Sequence, residues 1–208
     1  MWYAILITVL VGYFLGNLNG AVCMSQLLAH EDVRTHGSGN AGLTNFVRNY
    51  GAGKSVAVIA IDGGKAALAC LAGGLILAPY GMKLEGMAIG GLALMLGHDF
   101  PALLGFKGGK GIMSGCIIAF MLDWRVGLLI LGVFAVVYFI TWYVSLSSVL
   151  AALAFSVGFA VFHHDNMTVM LCGVFMGYLA LYMHRSNISR LIKGQEKKTN
   201  LFGKGKKA

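Results

Sequence analysis

The chain has 208 residues, of which 58% are hydrophobic and 12% are charged, and its formal net charge is +8. Soluble domains carry roughly 25% charged residues, so the composition excludes a water-soluble globule and indicates an integral membrane protein. With only two prolines, disordered linkers are not expected. The cysteines stand singly in apolar stretches and predict buried hydrophobic side chains, neither disulfides nor metal ligands. They are Cys23, Cys70, Cys116 and Cys172.

Apolar segments along the chain predict an all-α, polytopic membrane fold with about seven transmembrane helices, because a bilayer crossing needs about 20 mostly apolar residues. In chain order they are Trp2–Leu28, Ser55–Tyr80, Leu84–Gly105, Gly111–Leu122, Val126–Val144, Ser145–Phe162 and Met167–Met183. The fourth would rise only about 18 Å as a helix, so it is either a short tilted span or a re-entrant half-helix. The first lacks a positive n-region and a cleavage site, which predicts a retained anchor. We expect a single domain over residues 1–208.

Three polar blocks determine the predicted orientation: residues His30–Lys54, residues Gly105–Gly111, and His184 to the end. They follow the first, third and seventh segments, so they emerge on one side if every segment crosses the membrane. If Gly111–Leu122 does not cross, this parity fails for the third block. Thirteen of the 16 lysines and arginines belong to the blocks. The positive-inside rule therefore places the blocks and the C-terminus in the cytoplasm and the N-terminus outside.

The tail at about 185–208 is strongly basic, since residues 184–208 contain eight Lys or Arg and one Glu. Such an excess beside an apolar body indicates contact with anionic lipid head groups. It is not accompanied by any nucleic-acid-binding signature. We therefore expect membrane lipids, and no nucleic acid, as partners.

The first block is rich in glycine and small polar residues between His36 and Arg48. Glycines let backbone N–H groups approach an anion, hydroxyls and amides add donors, and an arginine supplies a bidentate charge. This pattern suits a phosphate group, although the P-loop spacing is missing. The alternative is an ordinary flexible turn.

The second and third blocks add cations and a possible base. Lys107 and Lys110 stand among glycines before a short helix that would start at Gly111 and point its N-terminal amides at a bound anion. The alternative is that both lysines serve only membrane topology. His184 and Asn187 share one face if the last helix continues through them.

Charged residues also occur within or beside the apolar segments. Asp62 and Lys65 lie three residues apart inside the second segment, which predicts a structural ion pair lining a polar cavity, with substrate contact as the alternative. His163, His164 and Asp165 lie on the predicted outer side, so an interfacial loop is favoured over a metal cluster.

The blocks together indicate a site for a small phosphorylated substrate beside an apolar body that can hold an acyl chain, without a carboxylate cluster for a metal. They resemble the three signature segments of the PlsY family, the bacterial acyl-phosphate:glycerol-3-phosphate acyltransferases. The resemblance covers almost the whole chain, although Leu43 stands where alanine is commoner. The matching segments are Gly37-Ser38-Gly39-Asn40-x-Gly42-x-Thr44-Asn45, Gly97-His98-x-x-Pro101 with Phe106-Lys107-Gly108-Gly109-Lys110-Gly111, His184-Arg185-x-Asn187-Ile188-x-Arg190-Leu191 and Tyr143–Ser148.

The resemblance implies an enzyme of the bacterial inner membrane that transfers a fatty acyl group from acyl phosphate to the 1-hydroxyl of glycerol 3-phosphate. The products would be lysophosphatidic acid, the first intermediate of phospholipid synthesis, and inorganic phosphate. No cofactor and no metal are implied, and the oligomeric state stays open. Two alternatives remain: a transporter of a small phosphorylated metabolite, and a membrane scaffold without enzymatic activity.

The resemblance also implies a catalytic set and a substrate-binding set. The catalytic set contains His184, Asn187 and Ser38, with either His184 or a substrate phosphate as the base. The substrate-binding set contains Gly37, Gly39, Asn40, Thr44, Asn45, Arg48, Lys107, Gly108, Gly109, Lys110 and Arg185. Within these sets, phosphate binding is implied for Ser38, Arg48, Lys107 and Lys110.

Overall fold

The computed structural model describes residues 1–201, and this part of the chain contains ten α-helices and no β-strand. The prediction of an all-α fold is therefore confirmed. The helices are α1 (Trp2–Asn17), α2 (Gly20–Ala29), α3 (Leu43–Tyr50), α4 (Ala52–Leu77), α5 (Lys83–Asp99), α6 (Ile112–Leu122), α7 (Trp124–Thr141), α8 (Val144–Phe162), α9 (Met167–Met183) and α10 (Arg185–Ile192).

Five helical segments within residues 1–201 are long and apolar enough to cross a membrane, and α9 with α10 makes a sixth if the bent pair is one span. The five are Trp2–Ala29, Ala52–Tyr80, Lys83–Leu104, Trp124–Thr141 and Val144–Phe162. Large apolar side chains such as Leu75 and Ile140 are exposed on the outer faces, as contact with lipid requires. A multi-span membrane fold is confirmed, whereas the crossing of the 11-residue helix α6 stays a prediction.

The first span is broken between α1 and α2, where a continuous helix was predicted. Leu18 is extended, and the Asn19 side chain caps α2 by accepting a hydrogen bond from the backbone N–H of Val22 at 3.0 Å. The break frees the carbonyl oxygens of Gly16 and Leu18 from the helix. The buried Lys65 ammonium binds both of them, at 3.3 and 2.5 Å.

Helix α5 is the centre of the bundle and packs against α1, α4, α6 and α9. Glycines allow the backbones of α4 and α5 to approach closely, since a Cβ atom at Gly73 would overlap the carbonyl oxygen of Gly86. Small residues at helix contacts are a common solution in membranes, where backbone approach and van der Waals packing replace the hydrophobic effect. Helices α7, α8 and α9 pack in chain order, and α6 bridges α4 and α7.

We expect Gly73→Ala to lower the thermal stability of the purified protein in detergent, because the added methyl group forces α4 and α5 apart. Overpacking of this kind costs about 1–3 kcal/mol. Gly64→Ala is the matched control, since a Cβ atom at this α4 position meets no heavy atom within 4 Å. Equal melting temperatures for the two variants would contradict the close approach of the helices.

Candidate active site

The three polar blocks surround one cavity of about 390 Å³ at the end of the bundle. Arg34 joins the first block to the second, because its Nη1 donates to the carbonyl oxygens of Leu104 (2.8 Å) and Lys107 (2.9 Å). Lys110 joins the second block to the third, because its Nζ donates to Asn187 Oδ1. Segments far apart in the sequence thus form one site.

Asn45 organises the first block around Ser38. Its Oδ1 accepts a hydrogen bond from the backbone N–H of Ser38 at 3.0 Å, and its Nδ2 lies 3.0 to 3.1 Å from three loop carbonyl oxygens. These belong to Val33, His36 and Asn40. Gly37 and Gly39 have φ angles of 61° and 69°, and a Cβ atom at Gly37 would overlap Asn45 Oδ1. Since Asn45 is only 2% exposed, its amide holds the loop in position.

The two lysines of the second block have different environments. Lys107 is exposed and lies outside the cavity lining, whereas Lys110 lines the cavity. Between them, Gly109 is buried, its N–H donates to the carbonyl oxygen of His98 at 3.0 Å, and a Cβ atom there would overlap the His98 ring. The glycine loop is therefore pressed against the end of α5. The N-terminus of α6, capped by Gly111, borders the cavity.

The third block follows the last span after a sharp bend, so His184 and Asn187 do not lie on one uninterrupted helix. Helices α9 and α10 are bent by 55° at their junction, where His184 caps α9. The His184 Nδ1 lies 2.8 Å from the carbonyl oxygen of Ala180. Because a carbonyl oxygen only accepts, Nδ1 donates the proton in this bond, and Nε2 of the neutral ring is left as an acceptor. A free acceptor nitrogen on a neutral ring is one requirement for a general base.

Positive charge predominates at the polar end of the cavity, which Arg48, Lys110 and Arg190 line together with Glu196. Glu196 Oε2 accepts from Arg190 Nε at 2.6 Å, and Glu196 Oε1 accepts from Asn187 Nδ2 at 3.1 Å. Burial, and secondarily the charge of Arg190, lowers the pKa of Lys110 to about 8. Three cationic side chains outnumber the Glu196 carboxylate here, and the other lining carboxylate, Asp62, is paired with Lys65. This end of the cavity therefore favours an anion.

The segment that follows α10 runs beside the cavity and contacts Arg48. The Arg48 Nε donates to Thr199 Oγ1 at 2.9 Å. The backbone N–H of Thr199 donates to the Trp142 carbonyl oxygen, and its carbonyl oxygen accepts from the Tyr138 hydroxyl, both at 3.1 Å. The segment is thereby fixed to the end of α7. The lysines of the predicted basic tail beyond Leu201 lie outside the described residues.

Beyond its polar end the cavity extends between α6, α7, α8 and α9, where most of the lining side chains are apolar. Among them are Ile112, Met113, Ile130, Leu131, Phe134, Val144, Ala151, Phe155 and Met176.

Most of the site residues predicted from the sequence line this cavity, and some do not. The lining contains Ser38, Gly39, Asn40, Thr44, Asn45, Arg48, Lys110, His184 and Asn187. Outside it are Gly37, Lys107, Gly108, Gly109 and Arg185. Arg185 points away because its guanidinium packs over the Tyr182 ring, 4.3 Å from the ring centre, and donates to the Tyr182 carbonyl oxygen.

Seven polar residues of the lining were not predicted as site residues: Asp62, His98, Ser145, Ser148, Ser186, Arg190 and Glu196. Glu196 is the single acidic residue of the basic tail, and its isolation among cations was the feature of the sequence that could have identified it. The two serines belong to the Tyr143–Ser148 segment that resembles the family. The Ser145 hydroxyl is buried and has no hydrogen-bond partner within the described residues.

A buried ion pair on α4 lies beside the cavity. Lys65 Nζ lies 2.9 Å from Asp62 Oδ1 and 2.8 Å from His98 Nδ1, and Asp62 Oδ1 also accepts from the Gly20 N–H at 3.1 Å. Asp62 and His98 line the cavity, whereas Lys65 does not. The pair therefore connects α4 with α5 and with the break between α1 and α2, and the sequence-based interpretation as a structural pair agrees with this geometry.

The histidines between α8 and α9 do not form a metal cluster, and within residues 1–201 no three His, Cys, Asp or Glu side chains are grouped to hold a metal. His163 Nε2 lies 3.1 Å from Asp123 Oδ2. His164 Nδ1 lies 3.0 Å from the Val161 carbonyl oxygen. The His163 contact connects the α8–α9 turn to the start of α7, and the His164 contact is local because Val161 belongs to α8.

The fold and the cavity define a multi-spanning membrane protein with an anion-receptive site that opens into an apolar interior. The family model described as glycerol-3-phosphate acyltransferase matches residues 6–194. The chain belongs to this family, the PlsY family, and it is an integral membrane acyltransferase. The resemblance read from the three motifs is thus confirmed.

Relatives and solved structures match over nearly the full chain. Glycerol-3-phosphate acyltransferase of Finegoldia magna is 36% identical over 192 residues, covering 91% of this chain and 93% of that protein. The protein of the same name from Paramagnetospirillum magneticum is 38% identical over 186 residues, covering 89% of each. The crystal structure of PlsY in its glycerol 3-phosphate form has a TM-score of 0.82 and 30% identity, covering 94% of this chain and 96% of that one. Its lysophosphatidic acid form has a TM-score of 0.81 at the same identity, covering 95% and 96%.

We expect Lys65→Met to destabilise the protein by about 3–5 kcal/mol, because it leaves the Asp62 carboxylate buried without its cation. The double variant Asp62→Asn/Lys65→Met removes both charges and should recover much of this loss. Thermal unfolding in detergent measures the effect, with Lys54→Met, an exposed lysine of α4, as the control. If Lys65→Met melts with the control, the pair contributes nothing to stability.

Proposed function

We propose that the chain transfers a fatty acyl group from an acyl phosphate to the 1-hydroxyl of glycerol 3-phosphate, releasing lysophosphatidic acid and inorganic phosphate. The observation that supports this proposal is a single cavity whose cationic end continues into an apolar interior. The cationic end suits the phosphate groups of both substrates, and the interior suits the acyl chain. The glycerol 3-phosphate and lysophosphatidic acid forms of the related PlsY agree with an acceptor and a product of this kind.

In the proposed reaction the glycerol hydroxyl oxygen attacks the carbonyl carbon of the acyl phosphate. An ester C–O bond forms, and the bond from that carbon to the bridging oxygen breaks, so that phosphate leaves with the electron pair. The hydroxyl proton passes to His184 Nε2 or to a phosphate oxygen of the substrate. Because phosphate is a good leaving group, alignment of the two substrates and electrostatic stabilisation supply most of the rate.

The positions of the lining residues suggest their roles. Arg48 and Lys110 bind phosphate oxygens, and the loop around Ser38 adds a hydroxyl and backbone amides. His184 and Asn187 orient the glycerol hydroxyl. The other phosphate-binding assignment, Lys107, rests on the motif alone, because its side chain is exposed outside the cavity.

We place the polar end of the cavity on the cytoplasmic side of a bacterial inner membrane, with the N-terminus outside. The basis is the distribution of lysine and arginine, thirteen of 16 in the three blocks, together with the positive-inside rule. An acyl donor in the inner leaflet would then reach the interior of the cavity while glycerol 3-phosphate enters from the aqueous side.

We expect purified protein to form lysophosphatidic acid from palmitoyl phosphate and labelled glycerol 3-phosphate. Arg48→Ala should lower kcat/KM about a hundredfold and Ser38→Ala about tenfold, in line with the loss of a charged and a neutral hydrogen bond. Lys54→Ala, which removes an exposed lysine outside the cavity, is the control.

The same assay in sealed vesicles tests the orientation and the reaction class. Inside-out vesicles should form lipid product from external glycerol 3-phosphate, and right-side-out vesicles should not. Uptake of the label without lipid product would contradict the proposed transfer and support a transporter.

Lys110 should make phosphate binding sensitive to pH. Since its pKa is lowered to about 8, the side chain is a cation below pH 8 and neutral above it. We expect kcat/KM for glycerol 3-phosphate to fall above pH 8 by up to about tenfold per pH unit, because this parameter reports the ionisation of the free enzyme. Lys110→Arg keeps its charge and should flatten the profile, whereas identical profiles would exclude Lys110 as the titrating group.

A further inference from the structure

The apolar interior of the cavity has a closed floor. Its lining ends at Ile130 on α7, Phe155 on α8 and Met176 on α9. Behind Phe155 the space is filled, because the rings of Phe155 and Phe159 lie 5.0 Å apart and Phe159 is fully buried. Phe159 in turn stacks on His163 at 5.4 Å. A chain that enters from the polar end therefore meets the Phe155 ring.

The depth of the interior follows from the helix rise of 1.5 Å per residue. The lining of α8 runs from Val144 to Phe155, which corresponds to about 16 Å. The lining of α9 runs back from His184 to Met176, or about 12 Å. Since α8 and α9 are consecutive and joined by a short turn, His184 and Val144 mark the same end. The apolar compartment thus extends away from the reacting groups by a limited length.

We propose that the floor at Phe155, together with the small residue Gly115 beside it, sets the length of the acyl chain that the enzyme transfers. This inference rests on the proposed acyl phosphate reaction. Phe155 limits the chain by occupying the space at the end of the compartment. Gly115 leaves room beside that ring for the last carbons of the chain.

The surroundings of Gly115 support its part in the proposal. A Cβ atom there would lie 3.7 Å from Phe155 Cε2 and 3.7 Å from Met95 Sδ, which is ordinary van der Waals contact. A methyl group can therefore be added at this α6 position without overlap, and it would occupy space next to the floor. Gly115→Ala shortens the compartment, whereas Phe155→Leu lengthens it.

One feature of the lining offers a different course for the chain. Leu131 lines the cavity and is 47% exposed. An opening at this side would admit the donor from the bilayer. A chain whose tail remained in the bilayer would not contact the floor. The two substitutions would then leave the preference for chain length unchanged.

The test measures kcat/KM for a series of saturated acyl phosphates from decanoyl to stearoyl, with glycerol 3-phosphate as acceptor. Burial of one methylene group changes an equilibrium constant about fourfold. Phe155→Leu should therefore raise the ratio of a longer to a shorter donor about fourfold, and Gly115→Ala should lower it about fourfold. Gly132→Ala and Phe175→Leu are matched controls. Gly132 has open space at its Cβ position, and Phe175 is 45% exposed.

Opposite shifts in the two variants, with controls like the wild type, would support the proposal. Unchanged chain-length profiles in active variants would overturn it and indicate a chain that leaves past Leu131. If Phe155→Leu does not fold, the shift in Gly115→Ala decides by itself. Wild-type protein that forms no lysophosphatidic acid from any donor would instead refute the proposed function, so the two failures are distinguishable.

Discussion

The buried Asp62–Lys65 pair is the interaction on which the architecture around the site depends. A charge at membrane depth is costly unless it is paired, and Lys65 meets this requirement through Asp62, His98 and the carbonyl oxygens freed at the break of the first span. The same contacts hold α4, α5 and the α1–α2 junction at one level. The glycine loop before α6 rests on the His98 backbone, so its position depends on this pair as well.

The cavity combines a cationic polar end with an apolar interior. Its polar end holds several cations close together, and Glu196 offsets part of their repulsion by pairing with Arg190. Burial strengthens the attraction of Lys110 for a phosphate while lowering its own pKa. The apolar interior begins directly beyond His184 and Ser145. In the proposed reaction an acyl donor would place its phosphate at the polar end and its chain in the interior, with the reacting carbonyl at the boundary.

Motif spacing predicted residues that line one cavity, and their roles stay predictions. Five of the predicted residues line the cavity: Ser38, Arg48, Lys110, His184 and Asn187. They could be predicted because the residue type alone indicates an anion ligand or a base. Asn45 holds the loop instead of facing the cavity freely, and Arg185 packs on Tyr182. The direction of a side chain depends on the local backbone, which at the bend turns Arg185 away while His184 and Asn187 line the cavity. Glu196 was not predicted because its partners, Asn187 and Arg190, belong to helix α10, which precedes the segment that contains Glu196.

Hydrophobic segments of bilayer length, the asymmetry of lysine and arginine, and three glycine- and cation-rich motifs were sufficient to define a multi-spanning acyltransferase of this family. These are local properties, since each depends on the composition of a short stretch and on the bilayer as solvent. The break of the first span, the convergence of the motifs on one cavity and the floor at Phe155 depend on packing between distant helices. Such contacts are decided by the shapes and partners of residues far apart in the chain, and only the tertiary structure specifies them.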